Sequence, residues 1–140
     1  MSIRSLWLTV VLASAVGVVA ASAQDNRQGR QDSGIAPEVL VQTTVPGVPW
    51  KKALVTRVTY QPGARNRKHY HTSQIVFLIL EGSMQVQDDG KQPVTLKVGD
   101  TLLVPPGTVH THWNPSQTEK LVFAEFVLVD DGQRSTVPVE

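Results

Sequence analysis

The sequence contains no cysteine, and this absence narrows the chemistry open to the protein. Thiol catalysis, disulfide bonds and thiolate metal ligands are all excluded. Any metal ion must therefore be held by histidine, carboxylate or amide side chains.

An excess of one charge is also lacking. The chain has 13 lysines and arginines against 12 acidic residues, and Arg4 is the one basic residue among the first 23. The rest of the chain is balanced and has no long run of one sign. We therefore expect no nucleic acid partner.

Long apolar runs are confined to the first 23 residues. Arg4 precedes an apolar stretch from Leu6 to Ala21, which closes on Ala21-Ser22-Ala23. This pattern is typical of a signal peptide cleaved after Ala23, although an uncleaved anchor would also fit a run of this length. A cleaved protein would be periplasmic or secreted, with no stable membrane span.

Helical periodicity is absent after the apolar stretch. Residues 1–23 are predicted as a signal peptide, residues 24–36 as a polar, flexible leader and residues 37–140 as one folded domain. In that domain, short runs rich in Val, Thr, Leu and Phe are separated by Pro and Gly, which predicts an all-β fold. Such strands bury their edges best in a closed β-barrel or a double-stranded jelly roll. The predicted strands cover residues 39–45, 53–60, 75–80, 83–87, 94–98, 101–104, 109–113 and 120–129, and the apolar run 75–80 is expected to be buried on both faces.

The four histidines of the chain fall in two short segments, His69-Tyr70-His71 and His110-Thr111-His112. Side chains alternate along a strand, so His69 and His71 point the same way and can hold one ion at about 2.1 Å each. His110 follows a rigid Pro-Pro-Gly turn and is expected to supply a third ligand. The pattern predicts a divalent metal site on His69, His71 and His110; plain packing or solvation of the histidines is the alternative.

The spacing of these residues resembles that of the cupin family. Residues 63–82 resemble the first cupin motif, G-x5-H-x-H-x3-4-E-x6-G. Residues 99–114 match the second, G-x5-P-x-G-x2-H-x3-N, at Gly99, Pro105, Gly107, His110 and Asn114. The resemblance implies a single cupin β-barrel, and a homodimer, since small cupins commonly pair.

One fixed position of the first motif departs from the family. The metal-binding glutamate should fall at Ile75, which cannot coordinate an ion. The resemblance then narrows to cupins that use three histidines, such as the cysteine, gentisate and diketone-cleaving dioxygenases. A neutral ligand set leaves the double charge on the ion and favours an anionic, chelating small-molecule substrate. Fe(II) is the favoured ion, and Mn, Ni, Cu or Zn would also fit.

Three residues could take the place of the missing carboxylate. Gln74 is adjacent, but it reaches the ion only if a β-bulge changes its side of the strand. His112 has the parity to enter the pocket beside His110, as a ligand, a substrate contact or a proton shuttle, and we predict it as the catalytic acid or base. Glu125 lies among apolar residues and is expected to face outward, because a buried carboxylate needs a partner.

The cations of Arg65-Asn66-Arg67-Lys68 precede the histidines and either attract an anionic substrate or form an ordinary solvated loop. The sequence as a whole favours a metal-dependent enzyme of dioxygenase type. A periplasmic binding or sensing protein and a Zn-dependent isomerase or hydrolase are the alternatives.

Overall fold

A computed structural model describes residues 34–139, and these residues form only strands, turns and loops. The ten strands are β1 (Ile35–Val45), β2 (Val48–Tyr60), β3 (His69–His71), β4 (Ile75–Glu81), β5 (Ser83–Asp88), β6 (Val94–Lys97), β7 (Thr101–Val104), β8 (His110–Trp113), β9 (Leu121–Asp130) and β10 (Thr136–Pro138). No helix long and apolar enough to cross a membrane occurs in this range. The predicted signal peptide and most of the predicted leader lie outside the described residues.

The strands form two five-stranded antiparallel sheets. One sheet has the order β1-β2-β9-β4-β7 and the other the order β10-β3-β8-β5-β6. Their inner faces pack together, as the contacts of Phe77 in β4 with His71 and His112 of the other sheet show. The predicted all-β jelly roll is therefore confirmed.

Most of the core lies on the inner face of the first sheet. Alternate residues of β4 and β9 point inward, and Ile75, Phe77, Phe123 and Val127 are each at most 1% exposed. The opposite face of β4 is open, since Leu78 is 39% exposed. The expectation that this strand is buried on both faces is therefore wrong: no other part of residues 34–139 covers the outside of the sheet.

The predicted strands are present, but several begin or end at other residues than predicted. The sheets also contain strand pairs that the sequence did not predict. β1 starts at Ile35, two residues ahead of the predicted domain boundary, because Ile35 pairs with Tyr60 of β2. The short strand β10 was not predicted. It pairs with β3, placing Thr136 opposite His71, and so extends the second sheet beside the histidines.

Candidate metal centre

Strands β3 and β8 bring three histidines together inside the barrel. His69 lies opposite His110 in the antiparallel pair, and His71 follows on the same side of β3. The ring centroid of His69 is 4.8 Å from that of His71 and 4.3 Å from that of His110. All three residues are at most 5% exposed. The strand alternation and the Pro-Pro-Gly turn thus place the side chains as the sequence predicted.

The Pro-Pro-Gly turn also links the two histidine strands directly. Gly107 has a φ of +76°, which glycine adopts without strain, and its backbone N–H donates to the carbonyl of His71 at 2.9 Å. The turn is therefore docked on the end of β3 just before β8 begins.

Hydrogen bonds fix the orientation of the three rings. Nδ1–H of His69 donates to the carbonyl of Arg67, and Nδ1–H of His110 donates to the carbonyl of Thr108, each at 2.9 Å. Nδ1 of His71 lies 3.2 Å from the hydroxyl of Thr136. Because a carbonyl only accepts, the Nε2 atoms of His69 and His110 are left as the lone-pair atoms. Outer hydrogen bonds of this kind are how proteins orient metal-binding imidazoles.

The remaining ring nitrogens suit one divalent ion. One ligand atom from each of His69, His71 and His110 lies within 4.8 Å of the others. At a tetrahedral angle, two metal–nitrogen bonds of about 2.1 Å hold their nitrogen atoms about 3.4 Å apart, so the three side chains must draw in by up to about 1.4 Å around an ion. The buried Nε2 atoms of His71 and His110 have no hydrogen-bond partner among the described residues. Buried polar atoms are normally paired, and a metal ion would satisfy both.

The surroundings of His71 favour its neutral form. Burial, followed by the charges of neighbouring His69 and His110, lowers the pKa of His71 to about 3. A neutral histidine keeps the lone pair that a metal requires. At neutral pH, His71 is therefore ready to bind an ion without first losing a proton.

His112 enters the pocket with the predicted parity but is held by Asn66. The side-chain oxygen of Asn66 accepts the backbone N–H of His112 at 2.8 Å, so its amide nitrogen faces the ring and donates to Nε2 at 2.8 Å. Nδ1 therefore carries the ring proton, and it is buried without a partner among residues 34–139. Burial, with smaller effects of the other three histidines, lowers the pKa of His112 well below its usual value. The ring stacks on Tyr60, with centroids 5.5 Å apart.

His112 therefore stands beside the group that could hold a metal and outside it. Its role as catalytic acid or base stays a prediction. Sequence reasoning missed Asn66, which was considered only as part of a cationic loop. Its side chain and backbone also accept the hydroxyl of Thr111, so one amide ties the loop to β8. The signal was faint: an amide standing three residues before the first histidine.

The structure places Gln74 at the surface, immediately before β4. Ile75, where the family carries its glutamate, is fully buried and points into the core. Ligation by Gln74 stays a prediction that requires its side chain to turn inward. The barrel thus offers an apolar group at the usual position of the fourth ligand.

Glu125 corrects an expectation. It alternates with Phe123 and Val127, both 1% exposed, and so faces the interior. It is half-buried, and burial raises its pKa to about 7. We expected an outward carboxylate because buried charges need partners. Side chains alternate along β9, however, and this alternation turns Glu125 to the same side as Phe123 and Val127.

Two cations of the loop 65–68 contact residues at the surface of the protein. The guanidinium of Arg65 lies 4.1 Å from the ring centroid of Trp113, and Lys68 forms an ion pair with Asp89. Both side chains are exposed. The two partners favour the ordinary solvated loop over a clamp for substrate.

Comparison with known proteins identifies the family. The cupin domain matches residues 56–130, more than half of the 140 residues. The chain belongs to the cupin superfamily. The matched segment contains all four histidines and strands β3 to β9 of this cupin.

Individual relatives agree with the assignment. This cupin is 31% identical over 84 residues to the uncharacterized protein YdbB of Bacillus subtilis, covering 60% of this chain and 69% of that protein. A cupin-like protein of Thermotoga maritima superposes with a TM-score of 0.57 at 31% identity, covering 66% of this chain and 67% of that one. The DMSP lyase DddQ of Ruegeria pomeroyi has a TM-score of 0.62 at 20% identity, covering 83% of this chain and 57% of the lyase, which supports the fold alone.

Proposed function

We propose that this cupin is a metal-dependent oxidoreductase of dioxygenase type that acts on a small, chelating organic substrate. One observation carries the proposal: the buried Nε2 atoms of His71 and His110, which have no partner among residues 34–139, lie close to a third histidine. Such a site has no carboxylate to neutralise a divalent ion, so an anionic, chelating substrate is favoured. When bound there, Fe(II), the ion we favour, would supply Lewis acidity and redox chemistry with dioxygen.

The residues of the chain have separate tasks in this proposal. His69, His71 and His110 hold the ion, and their outer hydrogen bonds keep the Nε2 atoms convergent. Phe77, which packs its ring against His71, excludes water from one side of the group. A dry site strengthens every electrostatic contact made inside it.

A Zn-dependent isomerase or hydrolase is the second candidate. Glu125 favours it, because an inward carboxylate supplies acid–base chemistry that needs no oxidant. Three histidines and water are also an ordinary ligand set for zinc. The cupin fold accommodates redox-neutral enzymes, as the lyase of Ruegeria pomeroyi shows for its own chain.

The metal site is tested by elemental analysis of untagged protein purified without added metal. We expect near-stoichiometric metal in the wild type and a loss of more than tenfold in His71→Ala, and full metal content in Gln74→Ala would refute ligation by Gln74. Oxygen uptake is then measured with catechols, flavonols, diketones and thiols. Uptake with one class supports the dioxygenase; turnover without uptake supports the zinc enzyme. Absence of turnover leaves a binding or sensing protein, and absence of metal in every protein after reconstitution refutes the metal site.

Export is part of the same proposal and rests on the sequence of the first 23 residues. Cleavage after Ala23 would deliver the barrel to the periplasm or the medium. The intact mass of the protein recovered from those fractions tests the cleavage position, and recovery of full-length chain from the cytoplasm would refute export.

We also propose that the protein is a homodimer whose copies meet on the outer face of the β1-β2-β9-β4-β7 sheet. A row of apolar residues crosses all five strands in register: Val41, Val55, Phe126, Val76 and Leu103. The five strands contain 45 residues, which at about 3.3 Å rise and about 4.8 Å spacing make a face of about 700 Å². Each partner of a standard interface buries about 800 Å². A second copy, which presents the same apolar face, is therefore a suitable occupant.

A further inference from the structure

The fourth histidine, His112, is an immediate neighbour of the three that could hold a metal. Its ring centroid lies 5.4 Å from that of His69 and 5.7 Å from that of His110, compared with 5.0 Å between the rings of His71 and His110. Its side chain is inside the barrel, and the residue is 3% exposed. Because imidazole is the commonest side-chain ligand of metal ions, a fourth ring at this distance would close the site unless another contact held it back.

Asn66 occupies the one ring nitrogen through which His112 could bind an ion. The side-chain oxygen of Asn66 accepts the backbone N–H of His112 at 2.8 Å, and this contact fixes the orientation of the amide, since a backbone N–H only donates. The amide nitrogen then donates to Nε2 of the ring at 2.8 Å. Nε2 is therefore an acceptor and Nδ1 carries the proton, so neither nitrogen offers a free lone pair.

The amide of Asn66 is itself held in place. The hydroxyl of Thr111 donates to the backbone carbonyl of Asn66 at 3.0 Å and lies 3.2 Å from its side-chain oxygen, and the backbone N–H of Asn66 donates to the carbonyl of His112 at 3.2 Å. The amide nitrogen also lies 3.4 Å from Nδ1 of His69, which donates to the carbonyl of Arg67. Asn66 thus lies between His112 and a predicted metal ligand.

Aromatic packing restricts the ring of His112 but does not choose its tautomer. Tyr60 stacks on the ring with centroids 5.5 Å apart, and Phe77 and Phe123 meet it edge to face at 5.4 Å and 5.7 Å. A large movement of the ring would displace these packed side chains. The nitrogen that carries the proton is set by hydrogen bonding, and the bond from Asn66 makes that choice.

We propose that Asn66 is a positioning residue that keeps His112 off the ion, so that the metal site remains a three-histidine site with an open position. The inference rests on the proposed function, whose substrate would bind the ion at that position. Four protein ligands are typical of a closed, structural site, and three are typical of a site that also binds water or substrate. The hydrogen bond from Asn66 to His112 decides between the two.

The number of zinc-bound imidazoles tests the inference without a need for turnover. In untagged protein labelled with ¹⁵N-histidine, the four rings give four sets of signals, and those of His112 are identified by their absence in His112→Gln. Long-range ¹H–¹⁵N spectra distinguish the two tautomers, and bound Zn²⁺ shifts the nitrogen that coordinates it. Spectra are recorded on metal-free protein and after loading with Zn²⁺, its content measured beforehand.

Asn66→Ala removes the amide donor. Thr111→Val is the matched control, because it removes the hydroxyl that bonds to Asn66 and leaves the amide on His112. We expect three zinc-bound rings in the wild type and in Thr111→Val, with His112 in the Nδ1–H tautomer, and four zinc-bound rings in Asn66→Ala.

Three bound rings in Asn66→Ala would show that packing alone holds His112 back, and would overturn the role of Asn66 while leaving the metal site intact. Four bound rings in the wild type would overturn it as well, since His112 would then bind despite the amide. Absence of any bound ring in the zinc-treated wild type would instead refute the metal site of the proposed function, and the inference with it.

Asn66→Asp keeps the test decisive if a thermal melt shows that Asn66→Ala is unfolded. The aspartate still accepts the backbone N–H of His112, but at pH 8 its second oxygen accepts where the amide donated. In the metal-free variant we expect Nε2 of His112 to carry a proton. Retention of the wild-type tautomer would overturn the assignment of Asn66, whatever the metal content.

Discussion

Protonation of Glu125 should make the stability of the barrel depend on pH. Its pKa is raised from 4.5 to about 7 in the folded protein, so between these values the folded chain holds more protons than the unfolded chain. Stability therefore falls as the pH rises through this window, and the loss is complete above pH 7. We expect Glu125→Gln to match the wild type near pH 4.5 and to exceed it by about 1–3 kcal/mol at pH 8.

Urea denaturation of the metal-free proteins at four values from pH 5 to pH 8 measures this difference. The histidines titrate in both proteins, so their effects cancel in the comparison. Glu81→Gln, at an exposed position, should run parallel to the wild type at every pH. A Glu125→Gln curve that also ran parallel would mean that the carboxylate is fully solvated.

At the residue scale, the sequence predicted which histidines come together, but not the residues that hold their rings in place. Alternation and spacing were enough to group His69, His71 and His110. The role of Asn66 could not be predicted, because its amide meets His112 only after β8 folds over the loop. The alternation of Glu125 with Phe123 and Val127 was enough to predict that it faces inward. We predicted the opposite because buried charges usually need partners.

At the scale of elements, the glycine at the corner between β4 and β5 has less room for a side chain than any other glycine among residues 34–139. Gly82 has a φ of +73°, and a Cβ there would lie 2.5 Å from the carbonyl oxygen of Lys120. Gly90 has nearly the same φ, +74°, with no atom within 4 Å of a Cβ. Comparison of the two glycines separates the cost of the backbone conformation from the cost of the clash.

We expect Gly90→Ala to lower the free energy of unfolding by about 1–2 kcal/mol, the cost of a left-handed backbone. Gly82→Ala should lower it by about 3–4 kcal/mol, because the strands must also move apart. Urea denaturation of both variants provides the numbers. Equal losses would show that the corner relaxes around a methyl group at no cost.

The strand predictions were correct where the apolar pattern and the flanking turn residues indicated the same strand. Residues 83–87 and 94–98 were predicted as strands, and the corresponding β5 and β6 pair with each other. β10 was missed because three residues carry no periodicity, and its strand character comes from pairing with β3. The continuous apolar run of β4 predicted burial on both faces because periodicity alone does not show whether a second layer exists.

At the scale of the whole molecule, the outside of the β1-β2-β9-β4-β7 sheet is apolar, and we expect it to govern association of the protein in solution. Phe126 lies in the middle of the apolar row and is 43% exposed, and Leu78, Leu80, Leu103 and Leu128 on the same sheet are also exposed. Contiguous apolar patches of this kind mark association sites. An interface at this surface would account for the apolar outer positions of β4, which do not belong to the core.

A lysine at the centre of this face should separate the two copies. We expect the wild type to have the mass of a dimer in light scattering after size exclusion, and Phe126→Lys to have the mass of a monomer, because two charges would meet near the symmetry axis without partners. Val98→Lys is the matched control, since Val98 is 61% exposed and lies in the turn after β6, away from the apolar row. A monomeric wild type, or a dimer that persists in Phe126→Lys, would place the association surface elsewhere or remove it. Because Phe126 points away from the histidines, the monomeric variant should keep its metal content, and this separates assembly from the chemistry of the barrel interior.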